Sequence, residues 1–340
     1  MGFARAAGTP VVLVGDIDRG HVIAALVGAH AVLEEADRAM IKGFIINKFR
    51  GDPALFDEGR AEIVRRTGWA DCGMTPWLAA ARRLPAEDAV VLDRAVGGDR
   101  RRVRIAVPML SRIANFDDFD PLRAEPEVEF GFVPPGRPIP GDADLVILPG
   151  TKATLADLAF LRAQGWDIDI AAHVRRGGRV LGVCGGYQML GRRISDPSGV
   201  EGPPGEADGL GLLDVETVLA ADKILRRVGG SLAGGATFAG YEIHVGRTEG
   251  PDASRPFLVH DDGAPDGAMS ADGRVAGVYA HGLFDMASAR SALLGELGAR
   301  SDGADQDVRV DAALDELAVA LEAALDVGRL AAIAGLEHRR

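Results

Sequence analysis

Cys184 is the residue in this chain best placed to act as a nucleophile. It stands directly after the apolar run Val180-Leu181-Gly182-Val183 and directly before Gly185-Gly186-Tyr187-Gln188-Met189-Leu190-Gly191. A strand that ends on a cysteine and turns at once into a helix has the plan of a nucleophile elbow. The tight turn exposes the side chain, and glycine is needed where backbones crowd. The start of the following helix favours a thiolate and offers backbone N–H groups. A cysteine in an arbitrary setting is more often a small buried hydrophobe; the flanking glycines here argue for chemistry instead. A thiol needs a base. Of the seven histidines, His281 is the candidate, in Val278-Tyr279-Ala280-His281-Gly282-Leu283-Phe284, where a strand ends before a glycine. Such a histidine points into a crevice, although taken alone it would read as a surface or capping residue. Attack on an amide carbonyl also needs donors for the oxyanion. The N–H of Gly185 is one, and Gly150 in the strand-end segment Pro149-Gly150-Thr151-Lys152 is placed to supply another.

The elements that must hold these residues follow from the apolar pattern. In the front part, strands are expected over 11–14 and 43–47 and helices over 22–40 and 54–67. On the first helix Ile23, Leu26, Val27 and Ala31 fall on one side. Strand–helix–strand–helix order implies right-handed crossovers and a parallel sheet. This front part holds few strands, so its sheet edge is expected to lack a partner unless another chain or segment covers it. A second unit is expected from about residue 101. Its strands are predicted over 103–107, 130–133, 145–148, 180–183, 212–217, 240–245 and 275–279. Its helices are predicted over 155–164, 168–176, 186–191 and 312–332, the last with Leu317, Leu321, Ala324 and Leu325 on one face. The fold class is therefore α/β.

The 340 residues carry a net charge of -12, which argues against a nucleic-acid surface. The one basic run, Arg100-Arg101-Arg102 with Arg104, reads as a solvated linker. Two cysteines, Cys72 and Cys184, make neither a metal cluster nor a disulfide framework. A cytoplasmic protein is expected. No apolar run approaches the roughly 18 residues a membrane span requires, and residues 1–8 lack the pattern of a signal peptide.

The elbow, Leu148-Pro149-Gly150-Thr151-Lys152 and Tyr279-Ala280-His281-Gly282-Leu283-Phe284 together resemble the class I, triad-type glutamine amidotransferase domain. More narrowly, the chain is similar to the cobyric acid synthase family of cobalamin biosynthesis. Further segments carry this likeness: Gly240-Tyr241-Glu242-Ile243-His244-Val245-Gly246, Asn115-Phe116-Asp117-Asp118-Phe119-Asp120-Pro121-Leu122, Asp16-Ile17-Asp18-Arg19-Gly20, and Lys42-Gly43-Phe44-Ile45-Ile46-Asn47-Lys48-Phe49-Arg50-Gly51-Asp52. The resemblance implies a partial P-loop-type, dethiobiotin-synthetase-like parallel sheet at 1–100, followed by a flavodoxin-like amidotransferase domain at 101–340. It implies ATP-dependent amidation of the peripheral carboxylates of adenosylcobyrinic acid a,c-diamide with ammonia from glutamine. Cys184 would form the glutamyl thioester and His281 would carry the proton. ATP and Mg2+ are the implied co-substrate and ion, with Asp16 and Asp18 facing the metal and Asn47 near the adenine. For these three, a turn or cap role is the competing reading.

The chain departs from the family pattern in places. Leu283 stands where the amidotransferase triad has its acid, as in the Cys-His branch to which this family belongs. Glu242 and His244, of equal strand parity, are both open as groups that bind or orient. No G-x-x-x-x-G-K-[ST] stretch occurs; Met1-Gly2-Phe3-Ala4 aligns with the interior of the family's first domain, so an N-terminal truncation is expected, and with it loss of the ATP-dependent step. His21 replaces a second glycine of the family. A homo-oligomer or a complementing N-terminal polypeptide is left open. Competing readings are a glutaminase fragment that only supplies ammonia, the sibling a,c-diamide synthase, an inert amidotransferase-like binding protein, and a peptide-cleaving Cys-His hydrolase.

Overall fold

The computed structural model describes residues 1–85 and 102–336. The chain divides into two compact units, 1–84 with 310–340, and 85–309. The expected division ran 1–100 and 101–340. That boundary, like Arg100 and Arg101 of the basic run, lies outside the described residues. The expected C-terminal assignment differs from the structure, because the last helices cluster with the front unit.

The front unit opens with α1 (Gly2–Ala7), closed by a left-handed Gly8. Strands β1 (Val11–Asp16), β2 (Ile41–Phe49) and β3 (Ala70–Pro76) form a parallel sheet in that order. Helices α2 (Val22–Val32), α3 (Glu35–Arg38) and α4 (Asp57–Thr67) connect them. Val22 and Leu26 of α2 pack with Phe44, Ile46, Ile63, Trp69 and Met74. The helix expected over 22–40 breaks at Leu33 and Glu34, both extended. Glu35 and Asp37 then open a new turn, where their charges suit the positive end of a helix. The helix expected from residue 54 starts at Asp57, because Pro53–Phe56 form a 3-10 turn capped by Asp52. β1 has no strand on its outer edge among the described residues, and its Val14 is 59% exposed.

The helix expected over 312–332 is two helices, Gln306–Ala324 and Val327–Ile333. Between them Leu325 bridges to Gly73 of β3, and the N–H of Asp326 donates to the carbonyl of Cys72 at 3.0 Å. Gly73 permits this approach: a Cβ there would lie 2.4 Å from the carbonyl oxygen of Ala324. Asp326 caps the second helix by accepting from the N–H of Arg329.

The second unit contains, in order, β4 (Val103–Pro108), β5 (Ile113–Ala114), α5 (Asp120–Arg123), β6 (Val128–Val133), β7 (Leu145–Leu148), β8 (Gly150–Thr151), α6 (Thr154–Ala163), α7 (Trp166–Arg175), β9 (Arg179–Val183) and α8 (Gly185–Leu190). There follow β10 (Arg193–Asp196), β11 (Gly205–Asp208), β12 (Glu216–Leu232), β13 (Thr237–Glu249), β14 (Leu258–His260), β15 (Pro265–Asp266), β16 (Ala268–Met269), β17 (Val275–Val278), β18 (Ala280–His281) and α9 (Ala287–Glu296). The central sheet has the order β16-β17-β9-β7-β4-β6 and is parallel except at β16. Its strands are largely apolar because both faces are covered, with Arg104, Glu129 and Arg179 the charged exceptions. Leu145 and Ile147 of β7 join one core with Phe119, Leu122 and Phe284. Val146 and Leu148 join the other with Leu158, Trp166 and Ile170. A second, mostly antiparallel sheet is built on the long β12–β13 hairpin, with β18 along β13. The strand expected over 212–217 starts only at Glu216, and the one expected over 240–245 is the middle of β13. Among the described residues no helix is long and apolar enough to cross a membrane.

Candidate active site

Four neighbouring strands of the central sheet, β17, β9, β7 and β4, run parallel and end on one side. The connections leaving them carry His281, Cys184, Gly150 and the turn from Asn115 to Phe119, respectively. The carboxyl ends of parallel strands are where open α/β sheets form their sites. Cys184 adopts φ 53 and ψ -112, a region that costs a non-glycine residue energy and is held only by its surroundings. Its N–H donates to the carbonyl of Val278 at 2.8 Å, which ties the elbow to β17. The flanking glycines are sterically required. A Cβ on Gly186 would lie 2.0 Å from the carbonyl oxygen of Leu148, and one on Gly182 would lie 2.6 Å from the nitrogen of Tyr187. The thiol donates to the carbonyl of Ile243 at 3.4 Å. The other cysteine, Cys72, is fully buried, and burial pushes its thiol pKa up.

His281 is 1% exposed. Its Nδ1 lies 2.6 Å from Oδ2 of Asp118, whose Oδ1 accepts the N–H of Gly282 at 3.0 Å. With Nδ1 committed to Asp118, Nε2 is the nitrogen left for the thiol. Burial pulls the imidazole pKa down, but hydrogen bonds to Asp118 and Cys184, and the charges of both, outweigh it and leave the pKa pushed up to about 10. A protonated ring beside the sulfur stabilises negative charge there. Tyr241 stacks on the ring at a centroid distance of 5.2 Å and an angle of 13°. Nδ2 of Asn115 lies 3.3 Å from both ring nitrogens, and Asn115 reaches that position through a left-handed φ of 51°.

Sequence reasoning missed Asp118. It noted the Asn115–Leu122 segment but gave none of its acids a role. The available signal was a pair of acids on the connection leaving β4, two strands from the nucleophile's own. Gly150 falls where a donor is wanted: a Cβ placed on it would lie 3.4 Å from Cε1 of His281 and 3.8 Å from Cβ of Cys184. β5 pairs with β8 and brings Ala114 opposite Gly150, so the Asn115 turn starts at the site. Gly185 is the first residue of α8, next to the sulfur. Glu242 and His244 do not reach the imidazole as orienting groups. They bond each other at 2.8 Å, Glu242 also binds Arg226 at 2.7 Å, and His244 stacks on Tyr279 at 3.7 Å. The bond from His244, helped by Arg226 and opposed by burial, holds the Glu242 carboxyl at about 2. Leu283 is a buried core residue.

In the front unit Asp16 and Asp18 leave β1 as expected, yet both are matched by cations. Asp16 binds Nζ of Lys48 at 2.7 Å and Asp18 binds Nε of Arg50 at 2.9 Å. No group of three metal-binding side chains occurs among the described residues; Mg2+ at an ATP site commonly takes one or two carboxylates, the rest of its shell coming from phosphate and water. Oδ1 of Asn47 accepts from the N–H of Lys48 and the hydroxyl of Thr75. His21 has φ 58, a left-handed conformation that glycine adopts without strain.

Residues 104–289 match the family model of the CobB/CobQ-like glutamine amidotransferase domain, the class that this parallel sheet and cysteine elbow define. Similarity also runs along nearly the whole chain. It is 70% identical over 338 residues to a cobyric acid synthase of Caulobacter sp. (strain K31), covering 99% of this chain and 70% of that protein. It is 64% identical over 334 residues to the cobyric acid synthase of Paracoccus denitrificans (strain Pd 1222), covering 98% of this chain and 69% of that protein. The chain belongs to the cobyric acid synthase family, and it spans about 70% of the length of these relatives.

Proposed function

We propose that this chain serves glutamine-dependent cobyric acid synthesis, with Cys184, His281 and Asp118 as its glutamine-hydrolysing centre. The thiolate of Cys184 attacks the side-chain amide carbon of glutamine. The backbone N–H groups of Gly185 and Gly150 are the proposed donors to the oxyanion. His281 gives its proton to the departing ammonia and then takes one from the water that cleaves the thioester to glutamate. Asp118 holds the ring in the tautomer that both steps need. The observation that carries this half is the placement of His281 between the Asp118 carboxylate and the sulfur.

The ligase half rests on family membership. Its proposed reaction is the ATP-dependent amidation of the peripheral carboxylates of adenosylcobyrinic acid a,c-diamide. The ends of β1 and β2, with Asp16, Asp18 and Asn47, are the proposed nucleotide side. Mg2+ is the ion that such an ATP reaction uses, and Asp16 and Asp18, paired here with Lys48 and Arg50, are the carboxylates proposed to face it.

The test separates the halves. Glutamate release from glutamine is measured for the chain and for Cys184→Ala. Amidation of the corrinoid diamide with ATP is then measured with glutamine or with ammonium as nitrogen donor. The reading requires Cys184→Ala to lose glutamate release and, where the parent chain amidates, to lose glutamine-driven amidation while ammonium-driven amidation persists. Unchanged glutamate release in Cys184→Ala would end the assignment of the centre. Glutamate release without amidation from either donor would confine the chain to ammonia supply.

A further inference from the structure

Glu125 and Arg290 form an ion pair whose side chains are both 0% exposed. Glu125 stands just after α5, seven residues beyond Asp118, and Arg290 lies on α9, nine residues beyond His281. Nε of Arg290 donates to Oε1 of Glu125 at 2.5 Å. Its Nη1 donates to the carbonyl of Phe284 at 2.6 Å and of Asp285 at 3.3 Å, and its Nη2 to that of Ala304. The guanidinium thus grips the loop that leaves His281 with one edge and the segment following the Asp118 turn with the other. The carboxylate is also filled. Oε1 takes the hydroxyl of Ser301 at 2.8 Å and Nη2 of Arg309 at 3.2 Å, and Oε2 takes the N–H of Asp302 at 2.9 Å.

Stability alone is a poor reason to keep such a pair. Removing both ions from water costs several kcal/mol for each, and apolar side chains of like volume commonly serve as well or better. An apolar pair could fill the space, but it could not bind the carbonyls of Phe284 and Asp285. What only the ion pair supplies is direction. Catalytic constellations tolerate errors of about 0.5 Å, and the 2.6 Å contact between Asp118 and His281 spans two connections with no covalent link nearby.

We propose that Glu125 and Arg290 are positioning residues for glutamine hydrolysis, a latch that holds the Asp118 turn and the loop after His281 at the spacing in which Asp118 grips the imidazole. The proposal rests on Cys184, His281 and Asp118 being the hydrolytic centre. Loosening the latch weakens the Asp118 contact, lowers the proton affinity of His281, and withdraws the cation from the sulfur.

The experiment compares Glu125→Gln, Arg290→Lys and the milder Ser301→Ala with the parent chain. It reads kcat and KM for glutamine, and the pH dependence of Cys184 alkylation by iodoacetamide. Asp118→Asn is run alongside. Glu125→Gln and Arg290→Lys should lower kcat about tenfold with little change in KM. Their alkylation at neutral pH should slow about severalfold as the cation leaves the sulfur. Ser301→Ala should shift both readouts in the same direction by a smaller amount. Loss of thermal stability with kcat and the alkylation curve unchanged in Glu125→Gln would overturn the proposal, and so would unchanged readouts in Ser301→Ala if the two stronger variants do not fold. An Asp118→Asn protein with parental kcat would instead remove the centre on which the latch acts.

Discussion

Replacing Asp118 with asparagine keeps the side chain's shape and removes its charge. In the structure one oxygen accepts Nδ1 of His281 at 2.6 Å and the other accepts the N–H of Gly282 at 3.0 Å. An amide can accept at only one of its two ends. If its oxygen stays on Gly282, its NH2 faces Nδ1 and drives the ring to the tautomer with the proton on Nε2, the nitrogen that must receive the thiol proton. If the oxygen stays on Nδ1, the NH2 confronts a buried N–H. Loss of one hydrogen bond to a charged group costs about 1.5–3 kcal/mol, or roughly 10- to 150-fold at about 1.4 kcal/mol per decade. The wrong tautomer adds to this, so kcat for glutamine hydrolysis should fall by about 10²- to 10³-fold. KM should change little, because Asp118 acts through His281. The assay is steady-state glutamate release across pH, with folding checked by circular dichroism. A folded Asp118→Asn protein with kcat within about threefold of the parent would refute this reasoning.

His281→Asn should lower the same kcat by about 10²-fold or more, whereas the volume-conserving Leu283→Met should leave it nearly unchanged; one glutaminase assay compares the two. Gly186→Ala should disrupt the elbow, since its Cβ would overlap the carbonyl of Leu148; a lowered melting temperature together with lost activity is expected. The raised pKa of His281 contributes stability that is fully present below its unfolded value near 6.5 and is lost as pH rises through about 10. Denaturant titrations should therefore show a steeper loss over that window for the parent than for His281→Asn. Glu242, held at about 2, contributes stability present above its unfolded value near 4.5 and lost as pH falls through about 2. Glu242→Gln should flatten the acid limb of the same titration.

The strands at 145–148 and 180–183 were legible because a parallel strand covered on both faces is a nearly unbroken apolar run. β12 was not. It runs from Glu216 to Leu232 and carries Lys223, Arg226 and Arg227, so its length rests on pairing with β13 rather than on apolar density. The break at Asp326 depends on where the chain meets Gly73 and Cys72 of β3, which periodicity does not record. Cys184 and His281 were readable because each is announced by local glycines. Asp118 was not, because its partner lies 163 residues away and only the strand order brings the two together. Glu242 and His244 share a face, as their equal parity predicts. Their face, however, leads to Tyr279, while Tyr241, of opposite parity, stacks on His281.

The central claim is that glutamine is opened by a thioester on Cys184. The measurement is acid quenching of the enzyme during glutamine turnover, followed by peptide mass spectrometry. The account predicts a glutamyl adduct on the peptide that contains Cys184, reduced in rate of formation by Asp118→Asn and absent from Cys184→Ala. Glutamate release with no adduct on that peptide, or with the adduct on Cys72, would contradict it.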